Sequence, residues 1–310
     1  MRSKPSIPRS ASSGLTLIEL LVAAAIGILL IGIAFSLVMS NRRVYNLDQA
    51  RTAVNQNLRA ALDLIGADIR QAGEHLPQDF PVIEIKNGTQ TDELILRKGL
   101  LDAVLPVCAD LATTATSIQV NRQGSNPHPN PACYRIDGDG NGWDDRLEAW
   151  RTYRCAQDGT SGCQGNADEQ VKAYIYDPVD GTGEFFDYIG EDLAQSSLQK
   201  STQALQYAYS ASHSPRLYLL EEHRYRLTND VLELIKNGGS AQKLVDRILS
   251  FEVKAEMQDG SQKQSFGTND DWTQIAAVIV EIKGQESYDR GKQVTRNITA
   301  RYLPRNVLSH

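Results

Sequence analysis

Residues 137 to 148 read Asp-Gly-Asp-Gly-Asn-Gly-Trp-Asp-Asp-Arg-Leu-Glu. Asp137, Asp139, Asn141, Asp145 and Glu148 fall at positions 1, 3, 5, 9 and 12 of that run, with the Trp143 backbone carbonyl at 7 and Gly142 at the sharp turn. This is the spacing of the twelve-residue calcium loop, in which the last acid binds through both oxygens. Hard oxygen ligands at this density need a cation to offset their repulsion. Ca²⁺ suits the set, Mg²⁺ demands tighter octahedral packing, and no soft ligand points to zinc. The competing reading is a solvated acidic turn, because Asp-Gly and Asn-Gly turn without metal. Tyr134-Arg-Ile before the loop and Leu147-Glu-Ala-Trp-Arg-Thr-Tyr after it fit strands as well as helices, so a β context is expected. The expected role of the ion is structural.

Four cysteines frame this segment: Cys108, Cys133, Cys155 and Cys163. An even count outside the cytoplasm suggests disulfides. Three pairings are possible; Cys108–Cys133 and Cys155–Cys163 are favoured, closing loops around the acidic run. Zinc is disfavoured because no CxxC is present. Free buried thiols are the remaining alternative.

The third chemically suggestive residue is Glu19. Leu15 to Met39 is an apolar run broken only by Thr16, Glu19 and Ser36. As a helix it spans about 37 Å, enough to cross a bilayer core of about 30 Å. An ionised carboxylate inside such a run is costly unless paired, so Glu19 carries a functional expectation. The leader, residues 1 to 14, contains Arg2, Lys4 and Arg9 and no acid. The block is too long for a cleaved secretory signal, and Val38-Met39-Ser40 is a poor site for it.

Basic leader, Gly14, then Leu15-Thr16-Leu17-Ile18-Glu19-Leu20-Leu21: this order resembles the class III signal of type IV pilins and pseudopilins. The family usually has Phe where this chain has Leu15. The resemblance implies cleavage after Gly14 by a prepilin peptidase and methylation of the new Leu15 amine. It also implies that Glu19 pairs with the Leu15 amine of a neighbouring subunit. In low dielectric that pair would set axial register, since a missing partner strands a buried charge.

Beyond Met39, Val44, Leu47, Val54, Leu58, Ala61, Leu62, Ile65 and Ile69 recur at spacings that mostly place them on one helical face. Gly73 and Pro77 end the run. One helix is therefore expected from about Leu15 to Ala72, on the order of 85 Å long.

The rest alternates with period two between turn signals such as Asn87-Gly88 and Asn237-Gly238-Gly239, which predicts antiparallel sheet. Expected strands are 81–86, 93–97, 117–121, 147–154, 171–176, 217–227, 231–235, 248–256, 275–282 and 294–302. Short helices are expected within 185–207. The fold class is α+β: a long N-terminal helix, half membrane-spanning and half amphipathic, packed on an antiparallel head with large loop insertions, as in the pilin fold. The expected organisation is leader 1–14, transmembrane or filament-core helix 15–40, amphipathic half 41–73, and β-rich head 74–310 with the calcium-loop insertion at about 100–170.

The segments from Trp272 and Val294, and Tyr225-Arg-Leu-Thr-Asn-Asp-Val-Leu-Glu-Leu-Ile, resemble PilW-type minor pilins, relatives of the J-type pseudopilin of type II secretion. The resemblance implies a minor subunit that primes or caps a type IV pilus, serving motility, adhesion or DNA uptake. The alternatives are a J-like pseudopilin, and a tip adhesin or DNA-binding subunit. Implied partners are the prepilin peptidase, other minor and major pilins and the inner-membrane assembly platform. The implied location is the bacterial inner membrane, single pass with the leader cytoplasmic, then a filament with the head outside. Arg42 and Arg43 beyond the apolar run oppose that orientation on charge alone.

The chain has 310 residues and a formal net charge of −6, which argues against a general nucleic-acid coat. The basic series Arg290, Lys292, Arg296, Arg301 and Arg305 reads as a solvated sheet edge rather than a DNA patch. No GxxxxGK[ST], GxSxG or HExxH occurs, so an enzyme is not expected.

Overall fold

The computed structural model describes residues 16–89, 91–122, 130–158, 171–268, 270–289 and 291–309. Gly14, Leu15, Arg290 and Cys163 lie outside them. Two compact units divide the chain: Met1–Ala53 with Glu286–Val294, and Val54–Gln285 with Thr295–His310. The architecture is α+β, a long apolar N-terminal helix followed by antiparallel sheets.

Helix α1 runs Leu17–Gln71, 55 residues. In the first unit its large apolar side chains, from Leu17 to Val44, are exposed on every side. This stretch is long and apolar enough to cross a membrane. In the second unit Val54, Leu58, Ala61, Leu62, Ile65 and Ile69 are buried in one stripe. Gly73, at φ +85°, ends the helix, with the Trp272 ring against its Cα. The freed carbonyls of Gln71 and Ala72 accept from Asn306 Nδ2.

The strands are β1 (Ile83–Lys86), β2 (Glu93–Gly99), β3 (Leu105–Pro106), β4 (Ser117–Gln119), β5 (Val171–Asp177), β6 (Thr182–Asp192) and β7 (Ser197–Lys200). They continue with β8 (Arg216–Tyr218), β9 (Leu220–Thr228), β10 (Val231–Lys236), β11 (Ala241–Asp246), β12 (Ile248–Met257), β13 (Gln262–Lys263), β14 (Ile275–Tyr288) and β15 (Lys292–Tyr302). Helix α2 is Asp145–Asp158. Three sheets have the orders β1-β2-β9-β10-β11, β13-β12-β14-β15 and β3-β8-β5-β6-β7-β4. The β9–β10 hairpin closes through Asn229 and Asp230, both at positive φ, with Thr228 opposite Val231. That two-residue turn matches the strand twist.

The described residues form two cores. The first gathers the α1 stripe with Leu94, Tyr225, Phe251, Val253, Val280 and their neighbours. The second lies between the six-stranded sheet and α2, around Trp150, Ile175, Tyr188 and Leu198. Strand β5 serves both: Ala173 and Ile175 face the second core, Tyr174 and Tyr176 the first, as period two requires. Arg97 is buried beside the first core. It donates to Glu84, Glu222 and the Pro81 carbonyl, so its charge is matched inside the protein.

Three expectations are corrected. Residues 147–154 are helical, not a strand, because Leu147, Trp150 and Arg154 lie on one helical face and all three are buried. Residues 185–207 carry strands β6 and β7 rather than short helices; pairing with β5 and burial of Phe186 and Tyr188 decide it. The single strand expected over 217–227 is two, β8 and β9, which belong to different sheets.

Candidate functional site

The N-terminus of α1 is closed by Thr16 and Glu19. Thr16 donates to Glu19 Oε2 from its backbone N–H at 3.0 Å and from its hydroxyl at 2.9 Å. Thr16 Oγ1 in turn accepts from the Glu19 N–H at 3.3 Å. This is a reciprocal capping box, which satisfies helix donors that otherwise have no partner. The Thr-x-x-Glu spacing is a sequence signal for it that the family resemblance overshadowed. Among the described residues, both bonds to the carboxylate end on Oε2. At the far end of this unit, Arg43 lies 3.5 Å from Asp289.

The acidic loop lies in the second unit, immediately before α2. One carboxylate oxygen from each of Asp137, Asp139 and Asp145 lies within 4.8 Å of the others. The turn is made by Gly140 and Gly142, at φ +75° and +89°, values that glycine adopts without steric cost. Backbone donors orient the acids: Gly138 N–H to Asp145 Oδ2 at 2.9 Å, Asn141 N–H to Asp139 Oδ1 at 3.0 Å, and Gly142 N–H to Asp137 Oδ2 at 3.1 Å. The Asn141 amide nitrogen lies 2.9 Å from Asp139 Oδ2, and 3.1 and 3.0 Å from the two oxygens of Glu148. Asn141 Oδ1 accepts from the Trp143 N–H. Asp137 Oδ1 is buried and has no hydrogen-bond partner among the described residues. The five side chains expected to act together are therefore brought together; the Trp143 indole is partly exposed.

The residues around the loop are tied down by hydrogen bonds. Asp144 caps α2, accepting from the Arg146 N–H, and is held by Asn121 and the Arg146 guanidinium. Trp150 Nε1 donates to the Ala103 carbonyl. Arg154 forms a two-point pair with Glu191, which also accepts from Tyr188. The expected β context is thus half corrected: a helix follows the loop, and no strand or helix immediately precedes it.

Cys108 and Cys133 form a disulfide across 5.7 Å between Cα atoms, as the favoured pairing predicts. Cys155, on α2, is also disulfide-bonded; its expected partner Cys163 lies outside the described residues. Of the basic series, Lys292, Arg296 and Arg301 fall on β15, the edge of its sheet, and are exposed, whereas Arg305 lies beyond the strand in a 3-10 turn. Arg301 pairs with Glu256.

Comparisons of the chain with protein-family models, with curated proteins and with solved structures give no match.

Proposed function

We propose that the chain is a type IV pilin-like subunit of the pilin fold, a minor pilin that primes or caps a type IV pilus. The observation that carries this reading is the exposed apolar half of α1, opening on a capped Glu19. Before assembly that half spans the membrane; afterwards it packs among the same segments of other pilins. Cleavage after Gly14 leaves an ammonium on Leu15, which prepilin peptidase methylates. The Glu19 carboxylate accepts from the corresponding amine of the next subunit. In an apolar filament core an unpaired carboxylate costs several kcal/mol, on the order of its desolvation penalty. Register then follows from charge pairing, and the side chains of the head need take no part in it.

The test is a deletion strain complemented with wild type or Glu19→Val. Wild type should restore surface pili with secretion unaffected throughout. Glu19→Val should be processed to the mature length yet stay out of sheared filaments. Normal entry of Glu19→Val into filaments would refute the pairing. Normal pili with lost secretion would move the chain to the J-like pseudopilins.

A further inference from the structure

The acidic loop plays no part in filament register, and its geometry poses a separate problem. Asp137, Asp139, Asp145 and Glu148 bring four carboxylates into one turn. Among the described residues the ion pairs of these four acids reduce to one, Arg135 at 3.9 Å from Asp137. Arg146 is committed to Asp144.

Hydrogen bonds do not resolve the crowding. The Asn141 amide offers two hydrogens, yet three carboxylate oxygens lie 2.9 to 3.1 Å from its nitrogen. Among the described residues Asp137 Oδ1 has neither water access nor a donor, a costly state for a charged group. A second cluster shows the contrast. Asp177, Asp180 and His213 also converge, but Asp177 accepts from the Val179 and Asp180 N–H groups and faces His213 Nδ1 at 3.0 Å. That cluster is satisfied without an ion.

The geometry points to a Ca²⁺ site formed by Asp137, Asp139, Asn141, the Trp143 carbonyl, Asp145 and Glu148. Both Glu148 oxygens are nearly equidistant from one point, the Asn141 amide nitrogen. A cation taking that place is held by Glu148 in bidentate fashion. Contraction from about 3 Å to the 2.3–2.6 Å typical of calcium needs only small side-chain movements. Turning the Asn141 amide exchanges its nitrogen for its oxygen and adds a ligand. Bidentate carboxylate and a mixed set of oxygens suit Ca²⁺, whereas Mg²⁺ prefers a smaller octahedral shell. The ion ties the loop to the first turn of α2, which carries both Asp145 and Glu148. Its role is to fix the loop between the Cys108–Cys133 bridge and α2. This inference stands whether or not the chain enters a filament.

Trp143 makes the site directly observable, because an indole beside a bound lanthanide sensitises its emission. The full chain in detergent micelles would be titrated with Tb³⁺ under tryptophan excitation, then with Ca²⁺ or Mg²⁺ as competitor. Saturable emission is expected, displaced by Ca²⁺ well below the Mg²⁺ concentration needed. Glu148→Gln should weaken Ca²⁺ binding by at least about 10- to 100-fold, the loss typical even of outer-shell changes. Trp143→Phe should lose the emission but keep the Ca²⁺-dependent rise in melting temperature. Circular dichroism in chelator establishes that each variant is folded. Asp139→Asn, at an exposed position, replaces Glu148→Gln should that variant fail to fold. No emission from folded wild type, or unchanged Ca²⁺ affinity in the ligand variant, overturns the site. Equal competition by Mg²⁺ overturns its assignment to calcium.

Discussion

Two stretches of α1 share one backbone geometry and differ in their surroundings. From Leu17 to Val44 the large apolar side chains are exposed. From Val54 to Ala72 most of the apolar residues lie on one face, and that face is buried, while Leu64 points away from it and is exposed. The glycines repeat the contrast. Around Gly27 and Gly32 there is open space, whereas a Cβ on Gly66 would fall 2.2 Å from the Tyr302 ring. The difference teaches that helix formation and helix burial are separate specifications. Composition makes the whole run helical; pattern decides where the protein supplies the apolar environment and where something else must.

The sharpest way to break this contrast is to remove one large side chain from each stretch. Leu58→Ala or Ile65→Ala should lower the unfolding free energy by about 2–5 kcal/mol through lost burial and cavity formation. Leu29→Ala should leave head unfolding, followed by denaturant titration in detergent, at the wild-type midpoint. An equal loss at Leu29 would mean that the first stretch is also part of the folded core.

A smaller effect is expected from adding a methyl group. Gly66→Ala must displace Tyr302 and should cost about 1–3 kcal/mol. Gly27→Ala meets nothing within 4 Å and should preserve or raise helix content, since Ala is favoured over Gly by about 1 kcal/mol. Thermal unfolding by circular dichroism separates the two; matching losses would dissolve the contrast.

The smallest effect concerns how the buried stretch is anchored. Asp68 lies 2.5 Å from His223 Nδ1 and accepts from the Tyr225 hydroxyl. Burial alone would raise its carboxyl; the bonds from His223 and Tyr225, with the nearby His223 and Lys98 charges, outweigh that and hold it below the ordinary value. With a lowered folded value, the native state binds fewer protons than the unfolded one. The contribution is therefore complete above the usual Asp value of about 3.9 and is lost as pH falls below it. Wild type should lose stability more steeply below about pH 4 than Asp68→Asn. Parallel acid-unfolding curves would show that Asp68 is not an acid-sensitive anchor.

The parts of the fold legible in the sequence are those fixed by local pattern. The α1 stripe at Val54, Leu58, Ala61, Leu62, Ile65 and Ile69 is the one read from spacing, and strands β2, β12 and β14 begin where expected. Helix α2 was illegible because Trp150, Thr152 and Tyr153 favour strands, while the face defined by Leu147, Trp150 and Arg154 appears only against β6. In β6 the adjacent Phe185 and Phe186 mask period two. Strand β11 buries little, so no apolar pattern announces it. The acidic residues of the loop were legible from spacing alone; the buried Asp137 oxygen and the shared Asn141 amide were not, since both depend on how the turn closes.

Tyr302 also sets an order of events. Its hydroxyl donates to the Leu62 carbonyl, a residue 240 positions earlier, and its ring fills the notch at Gly66. Asn306 covers the helix end in the same way. During synthesis the amphipathic stripe thus emerges well before Tyr302, which follows Leu62 by 240 positions. Contacts of such long separation form late, because loop closure must precede them. Until then the notch at Gly66 and the end of α1 lack these covers, although the rest of the stripe can already pack on strands made earlier.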